Sequence, residues 1–198
     1  MPTGVALRDV REQLFDAAER VLLRDGPKAL TSRAVTTEAG CAKGVLHRHF
    51  ADFDEFLTQL VLDRIRRIER DGAVLRERAG TGTVAGHLTS MLTDLFQSVA
   101  RQILALIVFS DELRTRLRAA GAARVPLAME ATAVVASYLA AERDLGRIAA
   151  DADLDTLAPT LVGAGHLLFT DRESGPPDDE AVRKMVLTVI GAVLRDSP

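Results

Sequence analysis

Cysteine, tryptophan and long apolar runs are what this sequence lacks. Cys41 is the only cysteine among 198 residues, and tryptophan is absent. A single cysteine excludes an internal disulfide, and with it the cross-linked framework of small secreted domains. We interpret Cys41, which lies beside a predicted turn, as a small apolar residue, with a redox sensor as the less favoured alternative.

Apolar runs are too short to cross a membrane. The longest, from Ile103 to Phe109, has seven residues, whereas a transmembrane helix needs about twenty. The first residues, MPTGVALRDVREQ, contain no apolar signal region and lead into a charged helix. We therefore expect a cytoplasmic protein.

Motifs of catalysis and metal binding are also missing. The sequence has no recognisable nucleophile motif and no glycine-rich phosphate loop. His47 and His49 are two residues apart, which on a helix turns their side chains about 200° away from each other. No cysteine or carboxylate completes a zinc site around them. We therefore predict no enzymatic activity, no cofactor and no bound metal.

Charge is distributed unevenly along the chain, whose formal net charge is −3. Residues 1–50 contain eight Lys and Arg against six Asp and Glu, a balance of +2, which leaves −5 for the remainder. A mildly basic head on an acidic body suits a DNA-binding module joined to a different domain. It argues against a structural protein that coats DNA without regard to sequence.

Helical periodicity extends through nearly the whole chain, without a useful stretch of strand-like alternation. The sequence therefore predicts an all-α fold of about nine helices. We place a domain boundary at residue 52, so that residues 1–52 form a three-helix, helix-turn-helix domain and residues 53–198 a second helical domain. Asp52 is expected to cap the long helix that follows it.

Residues 31–50, TSRAVTTEAGCAKGVLHRHF, carry the most specific pattern. They predict a helix that begins after Thr31, whose hydroxyl can cap it, a turn at Gly40 and a second short helix over residues 42–49. At about 100° per residue, one face of the short helix points inward and consists of Ala42, Leu46, His49 and Phe50. The other face points outward and consists of Lys43, Gly44, His47 and Arg48, with Val45 at its edge. A helix-turn-helix places such a second helix in the major groove of DNA.

The outward face has the chemistry for reading DNA. Lys43 and Arg48 can donate to guanine or phosphate, Gly44 lets the backbone approach the groove floor, and Val45 can contact a thymine methyl group. The free N–H groups that begin the preceding helix suit a phosphate. The alternative is an ordinary solvated charged face. We predict that DNA is contacted by Thr31, Ser32, Arg33, Lys43, Gly44, Val45, His47 and Arg48.

Two C-terminal helices, at residues 154–169 and 179–195, are more apolar than a single packing face requires. Such a pair can form a four-helix dimer interface with a second copy of the chain. The alternative is a monomer in which both helices are internal. We predict a homodimer whose interface consists of Leu161, Val162, Gly165, Phe169, Val182, Val186, Val189, Ile190 and Val193.

The stretch from Arg8 to Leu57 resembles the N-terminal domain of the TetR family of bacterial transcriptional regulators. The matching positions are Gly26, Thr31-Ser32-Arg33, Ala39-Gly40, Lys43-Gly44, Leu46 and His49-Phe50. Three positions depart from the family pattern: it usually has Tyr where this chain has His47, Ser where it has Ala42, and often Lys where it has Phe53. These departures affect the usual phosphate contacts and the cap of the short helix.

The resemblance implies a homodimer that binds a palindromic double-stranded operator, most often as a repressor. It also implies a pocket in residues 53–198 whose occupation by a small molecule releases the DNA. Control by a partner protein, or by no effector, is the alternative. The pocket residues we predict are Met91, Leu95, Phe96, Phe109, Met129, Tyr138 and His166. They are mostly apolar and favour a hydrophobic effector, although such a stripe can also be plain core.

Overall fold

The computed structural model describes residues 8–123, 125–170 and 175–195. Within these ranges the chain is all-helical, as predicted, with ten α-helices and one short 3₁₀ helix at Pro27–Ala29. The α-helices are α1 Arg8–Asp25, α2 Ser32–Glu38, α3 Gly44–His49, α4 Phe53–Glu77, α5 Val84–Gln97, α6 Ala100–Phe109, α7 Asp111–Ala119, α8 Ala128–Asp144, α9 Leu154–Thr170 and α10 Asp179–Ile190.

The helices divide between two compact units. The head unit comprises residues 8–63 together with Arg101–Ala122, and the body unit comprises Arg64–Ala100 and the described residues from Ala123 onward. The head unit therefore includes α7 and nearly all of α6, although about forty residues of sequence separate them from Asp63. A domain boundary at residue 52 stays a prediction.

The core of the head unit is built from the apolar stripe of α1 and from aromatic rings. The stripe residues Leu14, Ala18, Val21 and Leu22 are each at most 1% exposed. Three rings pack together, with centroid distances of 5.1 to 5.9 Å, and they belong to Phe15, Phe50 and Phe56. Burial of each large apolar side chain stabilises the unit by about 1.5–3 kcal/mol, so α1 and the residues around α3 form one packed block.

The core of the body unit lies among α5, α8, α9 and α10. Two glycines allow close packing there. A Cβ on Gly72 would lie 2.3 Å from Cγ2 of Val134, and a Cβ on Gly165 would lie 2.6 Å from Cε2 of Phe96. Neither position accepts a side chain without movement of its neighbour, which is the close approach that glycine permits.

A buried polar network ties the α4–α5 turn of the body unit to the end of α8. The carboxyl group of Glu142, which is 0% exposed, accepts hydrogen bonds from the Tyr138 hydroxyl at 2.5 Å and from the Gly80 N–H at 3.2 Å. Arg147 lies 3.3 Å from the same carboxyl group. His87 Nδ1 is 3.0 Å from the Tyr138 hydroxyl. Each buried polar group in this network thus has a partner, as burial requires.

The environment of the network changes how two of its members bind protons. Burial, followed by the nearby charge of Arg78, lowers the pKa of His87. Burial, followed by the hydrogen bond to Glu142, raises the pKa of Tyr138. The Tyr138 hydroxyl therefore stays protonated and donates to Glu142, so that it accepts from the Nδ1–H of a neutral His87.

The chain segment after α10 departs from the expected helix. The pattern predicted helix up to residue 195, but α10 ends at Ile190. The residues beyond it pair with the chain after α8: Ala149 N–H donates to Val193 O at 2.8 Å and Arg195 N–H donates to Arg147 O at 3.0 Å. These long-range bonds compete with helical ones, and apolar periodicity alone does not reveal them.

Candidate nucleic-acid interface

The two faces of α3 are those of a helix that is packed on one side and open on the other. Leu46 and Phe50 are 0% and 2% exposed. The outward residues Lys43, Gly44, His47 and Arg48 are exposed, and Val45 is half-buried. The inward position expected for Ala42 is wrong: Ala42 is exposed, because α3 begins at Gly44 and helical geometry does not extend back to residue 42.

The other predicted DNA contacts belong to the start of α2, the helix that precedes α3. Thr31 and Arg33 are exposed, and Ser32 is half-buried. The Thr31 hydroxyl accepts the Ala34 N–H at 3.1 Å, which confirms the predicted cap. Gly40 ends the helix with φ +67°, a left-handed conformation that favours glycine. The turn between the two helices thus has a backbone that few other residues adopt.

Ion pairs fix α2 against α1. The carboxylate of Glu38 accepts Arg20 Nε at 2.8 Å and Arg24 Nη1 at 2.8 Å. The hydrogen bond from Arg20 is the main reason why the pKa of Glu38 is lowered, followed by that from Arg24. At the other end of the motif, the Arg11 guanidinium lies 4.4 Å from the centre of the Phe50 ring. Charged side chains of α1 thus hold both α2 and the residue after α3.

The junction between α3 and α4 is held by two reciprocal caps. The Glu55 N–H donates to Asp52 Oδ1 at 2.6 Å, and the Ala51 N–H donates to Glu55 Oε2 at 2.5 Å. The arrangement differs from a standard capping box only in that Glu55 reaches the residue before the N-cap, and it confirms the predicted role of Asp52. Phe53 is half-buried and stacks on Phe56, with ring centroids 5.6 Å apart. Phe53 therefore packs at the place where the family often has Lys.

Asp52 has a second partner that the sequence did not reveal. Arg116 of α7 donates to both carboxylate oxygens, Nη1 to Oδ1 at 2.9 Å and Nη2 to Oδ2 at 3.0 Å. These bonds are the main reason why the pKa of Asp52 is lowered. The two residues are 64 positions apart, and no local pattern connects them.

The predicted pocket residues do not share one environment. Phe96 and Tyr138 are buried, and Met91, Leu95 and His166 are half-buried; the ring centroids of Phe96 and His166 are 6.1 Å apart. Phe109 and Met129, by contrast, are 88% and 52% exposed in the single chain. Phe109 also belongs to the head unit and the other six to the body unit. The structure therefore does not enclose Phe109 and Met129, and the pocket lining stays a prediction.

The residues predicted for the dimer interface are mostly used inside their own chain. Seven of the nine are buried there, namely Leu161, Val162, Gly165, Phe169, Val182, Val186 and Ile190. Val189 and Val193 are half-buried. Because α9 and α10 pack against α5, and α9 also against α8, the buried side chains have no surface left for a partner. These stripes therefore form internal core of the single chain, and their place in a homodimer interface stays a prediction.

Two further properties concern the described part of the chain alone. No group of three or more His, Cys, Asp or Glu side chains there could hold a metal ion. No single helix among those described is long and apolar enough to cross a bilayer, and only α5 and α6 taken together, across a break, reach that length and composition.

Comparison with known proteins finds a family model that matches the segment around α2 and α3. Residues 14–60 match the family described as "Bacterial regulatory proteins, tetR family". This range contains α2, the Gly40 turn, α3 and the start of α4. No curated protein matches the chain.

Solved structures extend the similarity to the whole fold. A protein of Mesorhizobium loti MAFF303099 described as a TetR-family transcriptional regulator has a TM-score of 0.68 and 15% identity, covering 93% of this chain and 95% of its own. NalD of Pseudomonas aeruginosa, the secondary repressor of the MexAB-OprM multidrug efflux pump, has a TM-score of 0.61 and 16% identity, covering 96% and 98%. SmeT in complex with triclosan has a TM-score of 0.63 and 20% identity, covering 95% and 93%.

Proposed function

We propose that this chain is a non-enzymatic DNA-binding regulator of the TetR family and a cytoplasmic repressor, which its N-terminal segment and its fold support. In this proposal it binds a palindromic operator as a homodimer and leaves the DNA when a small apolar molecule occupies the body unit. The observation that supports DNA reading most directly is the exposed face of α3, with Lys43, Gly44, His47 and Arg48 presented by a helix whose other side is buried.

The residues of that face have distinct expected roles. Lys43, immediately before α3, and Arg48, in its last turn, present cationic donors suited to guanine edges and phosphates. His47 takes the place of the family's usual Tyr and donates from an imidazole N–H instead of a phenol hydroxyl. Gly44 has open space around it, so the α3 backbone can approach base edges. Thr31, Ser32 and Arg33 at the start of α2 contact the phosphates beside the groove.

A homodimer fits both the palindrome and the outer surface of the body unit. Leu167 of α9 is 73% exposed and Leu187 of α10 is 36% exposed. Gly163 and Thr160 are also exposed, and their spacing from Leu167 places all three on one side of α9. A Cβ on Gly163 would meet nothing within 4 Å, so a partner helix can approach closely at that point. We therefore assign the interface to this outer face, and half-sites centred about 34–36 Å apart suit two such heads.

The apolar effector is proposed from the interior of the body unit and from a structural relative. The body unit has an extensive apolar interior, in which Phe96 lies against the bare backbone of Gly165 and its ring is close to those of His166 and Phe169. Its structural relatives include SmeT in complex with triclosan, an apolar aromatic compound. A ligand releases DNA only if it binds the released conformation more tightly than the bound one. The expected effector is thus an apolar molecule that binds the released conformation more tightly than the DNA-bound conformation.

The first test is selection of bound sequences from a random DNA pool with the purified full chain. The wild type should enrich a palindrome, and Arg48→Ala should lose that enrichment, because its guanidinium is removed from the exposed face of α3. Arg118→Gln is the matched control, since Arg118 is exposed on α7 and its side chain donates a hydrogen bond to Arg114 O within its own helix. Enrichment that is absent, or equal in wild type and Arg48→Ala, would overturn the DNA-reading assignment.

The effector is tested on the enriched operator. Triclosan and other apolar aromatic compounds are titrated against the protein–operator complex, and operator release is measured together with the thermal unfolding midpoint. Release accompanied by a higher midpoint supports the proposal. An operator complex that no compound of this class dissociates, although the protein binds DNA specifically, would favour control by a partner protein.

A further inference from the structure

The segment that joins α3 to α4 is attached to a distant helix of the same compact unit. Asp52 lies three residues after the end of α3 and immediately before α4. Its carboxylate receives the paired hydrogen bonds from Arg116 while Oδ1 also caps the Glu55 N–H. Both oxygens and the orientation of the side chain are thereby defined. A bidentate guanidinium pair of this kind constrains geometry in a way that a single ammonium contact does not.

Arg116 is itself held in place on α7. Its Nε donates to Glu112 Oε1, one turn earlier in the helix, at 2.7 Å. The apolar face of α7 is firmly packed, with Leu113 and Leu117 0% and 1% exposed. All the donors on Arg116 that face Asp52 thus project from a buried, rigid support within the head unit.

The α6–α7 corner that carries Arg116 is braced as well. The Ser110 hydroxyl caps α7 by accepting the Leu113 N–H at 3.1 Å. Arg114 Nη1 donates to Ile107 O of α6 at 3.0 Å, and its other nitrogen pairs with Asp111. A braced corner can act as a fixed point for the loop to which it is paired.

From these contacts we propose that Arg116 is a positioning residue for DNA recognition: by fixing Asp52 it sets the orientation of α3 relative to α4. The proposal rests on the function proposed above, in which α3 reads DNA. Arg116 acts through Asp52 and does not contact the operator. Because exposed ion pairs contribute little to stability, loss of the pair should affect operator binding more than unfolding.

The two partners of the pair separate geometry from electrostatics. Arg116→Gln removes a positive charge, which by itself weakens attraction to DNA. Asp52→Ser removes a negative charge, which by itself strengthens that attraction, and serine still caps α4. If the pair positions α3, both variants should bind the operator more weakly, by up to about fivefold, the upper end of the range for an interaction of this class. Arg116→Lys should recover only part of the loss.

Matched controls identify the cause. Arg118→Gln makes the same charge change on the same helix, away from Asp52, and should leave operator affinity nearly unchanged. The double variant Arg116→Gln/Asp52→Ser should bind no more weakly than the weaker single variant, as expected for one shared interaction. The dependence of affinity on salt should keep its slope in Arg116→Gln. A slope reduced by about one would mean that Arg116 contacts a phosphate and would overturn the proposal.

Amide hydrogen exchange in the free full-length protein provides a readout that does not need DNA. Exchange across residues 50–56 should become faster in Arg116→Gln than in wild type and should not change in Arg118→Gln. Unchanged exchange at these residues overturns the positioning role, even if the operator is never found. Faster exchange in a protein that enriches no DNA sequence would leave the joint established and the proposed function refuted.

Discussion

The head and body units use charged side chains in opposite ways. In the head unit, Glu38 and Asp52 are paired at the surface with long arginines that keep a third or more of their side chains exposed. In the body unit, Glu142 is fully buried, and its partner Arg147 has only 13% of its side chain exposed. An exposed ion pair can orient two helices while contributing little to the free energy of unfolding. A buried carboxylate, by contrast, costs much free energy when one of its partners is removed. Loss of a pair should therefore destabilise the body unit far more than the head unit.

The largest expected effect comes from removing the buried carboxylate. Glu142→Ala leaves Arg147, the Tyr138 hydroxyl and the Gly80 N–H without their shared acceptor. We expect the free energy of unfolding to fall by about 3–5 kcal/mol, the range for breaking a buried pair by removal of one partner, measured by urea denaturation. Glu180→Ala, at an exposed position in the first turn of α10, should change it by about 0.5 kcal/mol or less. Equal losses in the two variants would contradict the contrast.

A smaller effect is expected from removing one hydroxyl of the same network. Tyr138→Phe keeps the buried ring but leaves His87 Nδ1 and one oxygen of Glu142 without a partner. The expected loss is about 1–3 kcal/mol, the desolvation penalty of polar groups left unpaired, again measured by urea denaturation. A variant as stable as the wild type would show that the hydroxyl contributes nothing to the network.

The two units should also respond to acid at different pH values. Because the pKa of His87 is lowered by folding, the unfolded chain binds the proton first, and stability is lost as pH falls through the ordinary histidine pKa of about 6.5. The pKa values of Glu38 and Asp52 are lowered too, and their contributions are lost only as pH falls below about 5. His87→Gln should flatten the upper part of a plot of unfolding free energy against pH. An unchanged upper part would exclude His87 as the group responsible.

The smallest effect on stability is expected for the surface pair between α1 and α2. Glu38→Gln should lower the unfolding midpoint slightly at low salt, and the difference from wild type should shrink as ionic strength rises, because exposed charges are screened. Salt titration of the thermal midpoint measures it. A loss comparable to that of Tyr138→Phe, or one insensitive to salt, would mean that this pair behaves like the buried one.

Local patterns predicted the head better than the body, for a physical reason. The two faces of α3, the Thr31 cap and the turn at Gly40 depend on residues within a few positions of one another, where helical geometry decides which side chains share a face. The stripes of α9 and α10 correctly indicated burial. Burial against a partner and burial against the same chain leave identical periodicity, so the pattern alone did not reveal that Leu161 and its neighbours pack inside their own chain.

Contacts between residues distant in sequence were beyond such patterns. Tyr138 and Glu142 have the i, i+4 spacing that places them on one side of a helix, yet nothing local indicates that His87 or Gly80 completes their network. The same holds for Asp52, whose capping role was readable from its place before α4, whereas its pairing with Arg116 depends on how the chain returns to the head unit after α5. Long-range partners require the fold.

That return has a consequence for anyone who treats the first fifty residues as a detachable part. Arg101–Ala122 belongs to the head unit and supplies the partner of Asp52. A hybrid that joins residues 1–52 to the second domain of another protein would therefore contain α3 but not the Arg116 side chain that pairs with Asp52. A hybrid that also carries residues 101–122, or whose second domain has an arginine at the matching place, would keep this ion pair. The separable unit of this protein is therefore defined by which segments pack together and not by one continuous stretch of sequence.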